Sequence, residues 1–132
     1  MKRKNEVLPT KTEMDVLQVL WEHGPSTVRF VHDTLNESKE AVIYTSTLKL
    51  MQVMKEKGML TRDESEMKHV YAAALKEDKV KKNMLMQFVD NVYNGSLSKV
   101  FVALLGSDDT SSEELEKIKE LVNQQPAPKK RK

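Results

Sequence analysis

The stretch Tyr44-Thr45-Ser46-Thr47-Leu48-Lys49-Leu50-Met51-Gln52 interleaves short hydroxyls, one ammonium and one carboxamide with apolar residues. Wound into a helix, Thr47, Leu50, Met51 and Met54 fall on one side. Thr45, Ser46, Lys49 and Gln52 fall on the other, with Tyr44 at the start. No general base stands beside these hydroxyls, so their chemistry is hydrogen bonding and charge neutralisation. Short side chains let the helix N-terminus approach a phosphate closely, and that terminus favours negative charge. A lysine neutralises a phosphate or reaches a guanine. A glutamine pairs with an adenine edge, and a partly exposed Leu48 touches a thymine methyl. The bland alternative is an ordinary solvated helix in which Thr45 and Ser46 serve only as caps.

The residues that follow argue for the first reading. Gly58 stops the helix. Residues 59–63 and 68–73 read as two short strands, with Val70 alternating against His69 and Tyr71 at period two. Helix, strand, charged tip and strand form the back half of a winged helix, which places the helix in the major groove and the tip against the backbone. Arg62 and Lys68 are the phosphate candidates of the wing. Asp63, Glu64 and Glu66 must point away or pair with them. Lys11, Thr12 and Arg29, near the starts of the first two helices, are further candidates for backbone contacts.

The elements that position this helix are also legible. Thr10 and Glu13 have the spacing of a capping box. Met14, Leu17, Leu20 and Trp21 continue at helical spacing until His23-Gly24-Pro25 ends the helix. Ser26 or Thr27 caps a second helix with Val28, Val31 and Leu35 as its apolar stripe and Phe30 beside it. Trp21 reads as a core or junction residue, and Tyr71 and Tyr93 as packing residues with satisfied hydroxyls. The methionines at 51, 54, 84 and 86 read as core filler.

After Ala74 the character changes. Lys76 to Tyr93 reads as one amphipathic helix carrying Val80, Met84, Phe88, Val89 and Val92, stopped by Asn94-Gly95. Leu97 to Leu105 is apolar nearly all round, with Val100, Phe101 and Leu104 between its ends, which implies burial on several sides. Ser111 and Glu114 have the spacing of a second capping box, ahead of a helix carrying Leu115, Ile118, Leu121 and Val122. Three short helices cannot bury that much apolar surface among themselves. The sequence therefore predicts a homodimer whose C-terminal helices interlock, through Val89, Val92 and the apolar residues of the last two helices.

Composition excludes several functions. The chain has 132 residues, 39% of them hydrophobic, and no cysteine. Disulfides, thiolate metal sites and a cysteine nucleophile are absent, which suits a reducing cytoplasm. His23, His32 and His69 share no metal-ligand spacing, so neither a metal nor a cofactor is expected. There is no phosphate-binding glycine loop or nucleophile elbow, so no enzyme is expected. No apolar run is long enough to span a membrane, and the N-terminal Met1-Lys2-Arg3-Lys4 lacks the apolar stretch of a secretion signal. Net charge is +2. Lys129-Lys130-Arg131-Lys132 alone carry more than that, so whole-chain charge lends no support to nucleic-acid binding. The case rests on local placement of charge, doubled by a dimer.

Taken together, the chain resembles the BlaI/MecI/CopY family of bacterial repressors, also called the penicillinase repressor family. The resemblance rests on Leu8-Pro9-Thr10 with Glu13, Trp21-Glu22-His23-Gly24-Pro25-Ser26-Thr27-Val28, Tyr44-Thr45-Ser46-Thr47-Leu48-Lys49, Glu56-Lys57-Gly58, His69-Val70-Tyr71 and Tyr93-Asn94-Gly95-Ser96-Leu97-Ser98-Lys99. It covers residues 8 to 124 and lies in order and spacing rather than in any single motif. It implies an N-terminal winged helix, a C-terminal helical dimerisation domain and repression at palindromic operators. Copper-responsive members use paired cysteines near the C-terminus, and this chain has none. Members induced by β-lactams are cut by a sensor-controlled protease at an Asn-Phe bond after the glycine turn. The corresponding positions here are Ala103-Leu104, so a regulatory protease or sensor is a partner that the resemblance implies but that bond does not support.

The sequence thus predicts a mainly α chain with a small β wing. Residues 1–74 form a winged-helix DNA-binding domain, 75–125 a helical dimerisation domain and 126–132 a disordered basic tail. The expected function is a dimeric, cytoplasmic repressor that binds double-stranded DNA at an inverted repeat. The competing reading is a winged helix that docks only to other proteins. Near-zero net charge fits it, but the helical face at Thr45 to Gln52 lacks the aromatic anchors expected of a docking surface.

Overall fold

A computed structural model describes residues 8–38, 42–106 and 111–125. The N-terminal residues, the middle of the polar loop after the second helix and the basic tail 126–132 lie outside the described residues. The elements run α1 (Lys11–His23), β1 (Ser26–Thr27), α2 (Val28–Ser38), α3 (Tyr44–Glu56), β2 (Leu60–Asp63), β3 (Val70–Ala73), α4 (Glu77–Val92), α5 (Leu97–Leu105) and α6 (Ser112–Gln124). The fold is mainly helical with a small three-stranded antiparallel sheet of order β1-β3-β2. This is the architecture of a winged helix followed by helices.

The helix boundaries follow from local chemistry. Thr10 Oγ1 accepts from the Glu13 N–H and Glu13 Oε1 accepts from the Thr10 N–H, completing the capping box of α1. Of the two candidates for the start of α2, Thr27 does the work: its hydroxyl accepts from the Phe30 N–H at 3.2 Å. Ser26 instead donates back to the Gly24 carbonyl. Gly58 follows α3 at φ 84°. A Cβ there would meet open space, so left-handed backbone, not crowding, selects glycine.

The core of the N-terminal unit joins α1, α2, α3 and the sheet. Val16, Leu17 and Val31 meet Met51, Met54, Met59, Leu60 and Tyr71, all at most 2% exposed. Full burial of one such side chain contributes about 1.5–3 kcal/mol. Leu50, expected inward on α3, is only half-buried.

Two features of the sheet depart from the sequence reading. A third strand is present, because Ser26 and Thr27 pair with Tyr71 and Val70. Strand parity is also the reverse of that implied by an inward Val70: Tyr71 is 1% exposed, while Val70 is half-buried. Tyr71 lies opposite both Ser26 and Arg62, which places it on the core side of the middle strand.

The chain divides into two compact units between Met84 and Leu85, within α4. The change of character after Ala74 predicts an earlier boundary. The first turns of α4 belong with the winged helix because Trp21 Nε1 donates to the Leu75 carbonyl at 3.0 Å, Lys81 Nζ lies 5.9 Å from the Trp21 ring, and Val80 is buried. In the C-terminal unit, Asn94 and Gly95 both take left-handed backbone. Ser96 then caps α5, accepting from the Lys99 N–H, and Ser111 caps α6, accepting from the Glu114 N–H at 3.1 Å.

Candidate nucleic-acid interface

The start of α3 is chemically open. Its N-cap is Ile43, with no side-chain cap. The bland role for Thr45 and Ser46, capping the helix, is therefore not what they do; both are exposed on the first turn. An uncapped helix start leaves N–H donors for an external acceptor. Lys49 and Gln52 are exposed further along, and Leu48 is half-buried, packed against the core.

Behind this face, polar groups inside the core fix α3 to α2. His32 is 8% exposed and Thr47 is 4% exposed. His32 Nδ1 lies 3.1 Å from Thr47 Oγ1, and His32 Nε2 lies 3.0 Å from Asn36 Nδ2. Asn36 Oδ1 accepts from the Val42 N–H at 3.1 Å, which turns the Asn36 amino group toward the imidazole. His32 Nε2 is then the acceptor, and Nδ1–H donates to Thr47. A single chain of hydrogen bonds thus runs from the segment preceding α3, through α2, into the first turn of α3.

Arg29 belongs to the same corner. Its guanidinium stacks 4.1 Å from the centre of the Tyr44 ring and lies 3.8 Å from Asp33. Tyr44 in turn meets the His32 ring edge to face at 5.5 Å. The stack positions an exposed cation, paired with Asp33, at the open end of α3. Val42 and Ile43, 48% and 69% exposed, flank the same end. The sequence reading singled out neither; their signal is an apolar pair directly before an apolar-periodic helix, with no core position left for it.

The wing distributes its charges differently from a simple basic tip. Counting from buried Leu60, Arg62 falls on the inward parity of β2. It lies opposite Tyr71, donates to the Tyr71 hydroxyl at 3.3 Å and to Glu64 at 3.1 Å, and keeps only 19% side-chain exposure. Lys68 is exposed, and His69 lies 3.8 Å from Glu64. The Ser65 N–H bonds Asp63 and holds its carboxyl below the usual range. Among the candidate cations of the wing, Lys68 is the one that remains extended to solvent.

Lys11 and Thr12 sit elsewhere. Glu13 is bound by Lys57 at 2.8 Å, which places the first turn of α1 by the end of α3. A helix the length of α3 extends for about 20 Å, so Lys11 and Thr12 are not neighbours of Thr45 and Ser46. Lys11 lies 3.9 Å from Asp15, and the Thr12 and Thr10 hydroxyls are 3.3 Å apart.

The C-terminal unit leaves much of its apolar surface uncovered. No residue of α5 or α6 is buried. Leu97, Phe101, Val102, Leu104 and Leu105 are each 44–71% exposed, as are Phe88, Val92, Leu121 and Val122. Val100, Leu115 and Ile118 are half-buried. Val89 differs: it is 0% exposed within the single chain, so it adds no free surface for a partner. The Ala103-Leu104 bond lies inside α5.

Among the described residues, no helix is long and apolar enough to cross a membrane. No curated protein matches the chain. A family model described as penicillinase repressor matches residues 9–124, spanning the winged helix and all three C-terminal helices. With that match over nearly its whole length, the chain belongs to the penicillinase repressor family, a family of DNA-binding transcriptional regulators.

Proposed function

We propose that the protein is a homodimeric repressor that inserts α3 of each protomer into one half-site of an inverted-repeat operator. The observation that carries this reading is the open start of α3. It has no side-chain cap, exposed Thr45 and Ser46, and Arg29 stacked on Tyr44 beside it. Helix N–H groups and Arg29 suit phosphates, while Lys49 and Gln52 suit base edges. Lys68 adds a backbone contact from the wing. Lys11 and Thr12, at the other end of α3, reach DNA only where the backbone passes there.

The dimer is supported by the apolar residues of α5 and α6 that a single chain leaves in water. Two protomers that cover each other's helices present two copies of α3, with half-sites about 34–36 Å apart or a multiple of that. Doubling also compensates for the weak charge of one chain.

The test is fluorescence anisotropy of the purified protein on DNA from its own promoter, at two salt concentrations, with a scrambled duplex as control. The expected outcome is a Kd on the order of 10⁻⁸ M for the promoter, weakening with salt, and much weaker binding to the control. Equal, weak binding to both duplexes overturns the operator reading. It favours a protein-docking winged helix, for which exposed Val42, Ile43 and Met67 supply apolar contacts.

A further inference from the structure

At the foot of α3, on the N-terminal unit, lies a partly open hollow of about 280 Å³. Its floor is apolar: Pro9, Met59, Leu75 and Val80. Its rim carries three ammonium groups, Lys57, Lys76 and Lys79. Lys57 is held by the buried Glu13 carboxylate. Among the described residues, neither Lys76 nor Lys79 has an ion-pair partner. An apolar floor bordered by lysines is the chemistry of a site for an amphipathic anion. The volume falls just below the ~300–1,000 Å³ typical of small-ligand pockets, so the ligand class is a small one.

We propose that this hollow binds a small amphipathic carboxylate, with its apolar body over Met59 and Val80 and its carboxylate between Lys76 and Lys79. The hollow draws its walls from the segment before α1, from the turn after α3 and from the start of α4. An occupant therefore ties the end of α3 to α4. The ligand site stands independently of the operator reading. Its regulatory consequence, a change in how tightly α3 engages DNA, rests on that reading.

The protein carries its own reporter. Trp21 is the single tryptophan, and its indole N–H donates to the carbonyl of Leu75, a wall of the hollow. Octanoate titrated into the full chain is expected to change Trp21 fluorescence saturably. Octan-1-ol, which has no charge, is expected to leave it unchanged. The double variant Lys76→Ala with Lys79→Ala removes exposed side chains only and is expected to weaken octanoate at least tenfold. A charge-matched variant, Lys117→Ala with Lys119→Ala on α6, is expected to bind as the wild type does. A response that does not saturate, that octan-1-ol reproduces, or that survives in the Lys76/Lys79 variant overturns the proposal. In a second arm, saturating octanoate is expected to shift promoter affinity at least threefold in the wild type only. Saturable binding with no such shift overturns the regulatory half, whereas a protein that binds octanoate but no promoter overturns the operator reading.

Discussion

Lys57 Nζ donates to Glu13 Oε2 across 2.8 Å, joining the residue that ends α3 to the first turn of α1. The Glu13 side chain is 4% exposed and that of Lys57 is 44% exposed, so a buried carboxylate depends on a cation that water still reaches. Burial by itself raises the Glu13 carboxyl, but Lys57 and the Thr10 N–H outweigh it and hold the group below its ordinary value of 4.5. The stability this contributes is fully present above pH 4.5 and is lost as pH falls through the lowered native value. Lys57→Met is expected to cost about 1–2 kcal/mol at neutral pH. That is less than the ~3–5 kcal/mol of a fully buried pair, because Lys57 is half open to water. Urea melts at pH 7 and pH 4 check this: the gap between wild type and variant should narrow at the lower pH. A constant gap excludes the pairing as its cause.

The buried chain through His32 makes a tautomer prediction. Asn36 presents its amino group to His32 Nε2, so the proton resides on Nδ1 and points at Thr47. Long-range ¹H–¹⁵N spectra should show the Nδ1–H form. Thr47→Val keeps the shape of the side chain but removes the acceptor, and is expected to destabilise by about 1–3 kcal/mol. An Nε2–H spectrum would show the orientation of Asn36 to be wrong.

Arg62 and Lys68 should separate cleanly as variants. Arg62→Ala removes the partner of the Tyr71 hydroxyl and of Glu64. It is expected to lower the thermal midpoint while leaving the salt dependence of DNA binding unchanged. Lys68→Ala is expected to leave the thermal midpoint unchanged and reduce the salt slope by about 1. The reverse pattern would assign Arg62 to the phosphates after all.

Phe101 and Val89 distinguish a surface from a core. Phe101 is 46% exposed and Val89 is 0% exposed. Phe101→Asp is expected to shift sedimentation velocity from dimer to monomer and abolish promoter binding at physiological salt, with helix content retained. Val89→Ala is expected to cost about 2 kcal/mol of stability and leave the dimer in place. A Phe101→Asp protein that still sediments as a dimer removes α5 from the interface.

What could be read in the sequence followed its periodicities. α1 and α3 announce themselves through 3.6-residue stripes and, for α1, a capping box, so their limits are legible; in α1 the stripe found Leu17 and Leu20 but not Val16 and Val19, which are also buried, while Met14 and Trp21 are only half-buried. Strand β1 is not, because two residues carry no alternation. Arg62 was legible only by parity: the charged neighbours Asp63, Glu64 and Glu66 draw attention to the tip, whereas the inward direction is set by counting from Leu60. The His32–Thr47 and Lys57–Glu13 contacts join residues 15 and 44 positions apart, and no local pattern encodes such pairs. The open start of α3 was hidden for a related reason. Thr45 and Ser46 look like caps, and only the position of Ile43 shows that the helix begins two residues too early for Thr45 and three for Ser46.

The pairing of Arg62 with Tyr71 across β2 and β3 also bears on how the hairpin finds its alignment. A slip of one residue exchanges the two faces of a strand completely. In a slipped hairpin, Arg62 would face Val70 or Ala72, neither of which has a hydroxyl to offer, and Tyr71 would turn its ring into water. The apolar face already disfavours such a slip, because it would move from the core into water. The Arg62 guanidinium adds a directional check, since its hydrogen bond to the Tyr71 hydroxyl exists in one alignment only. Arg62 therefore acts as a registration mark for the wing, favouring the native alignment of the hairpin over its slipped neighbours.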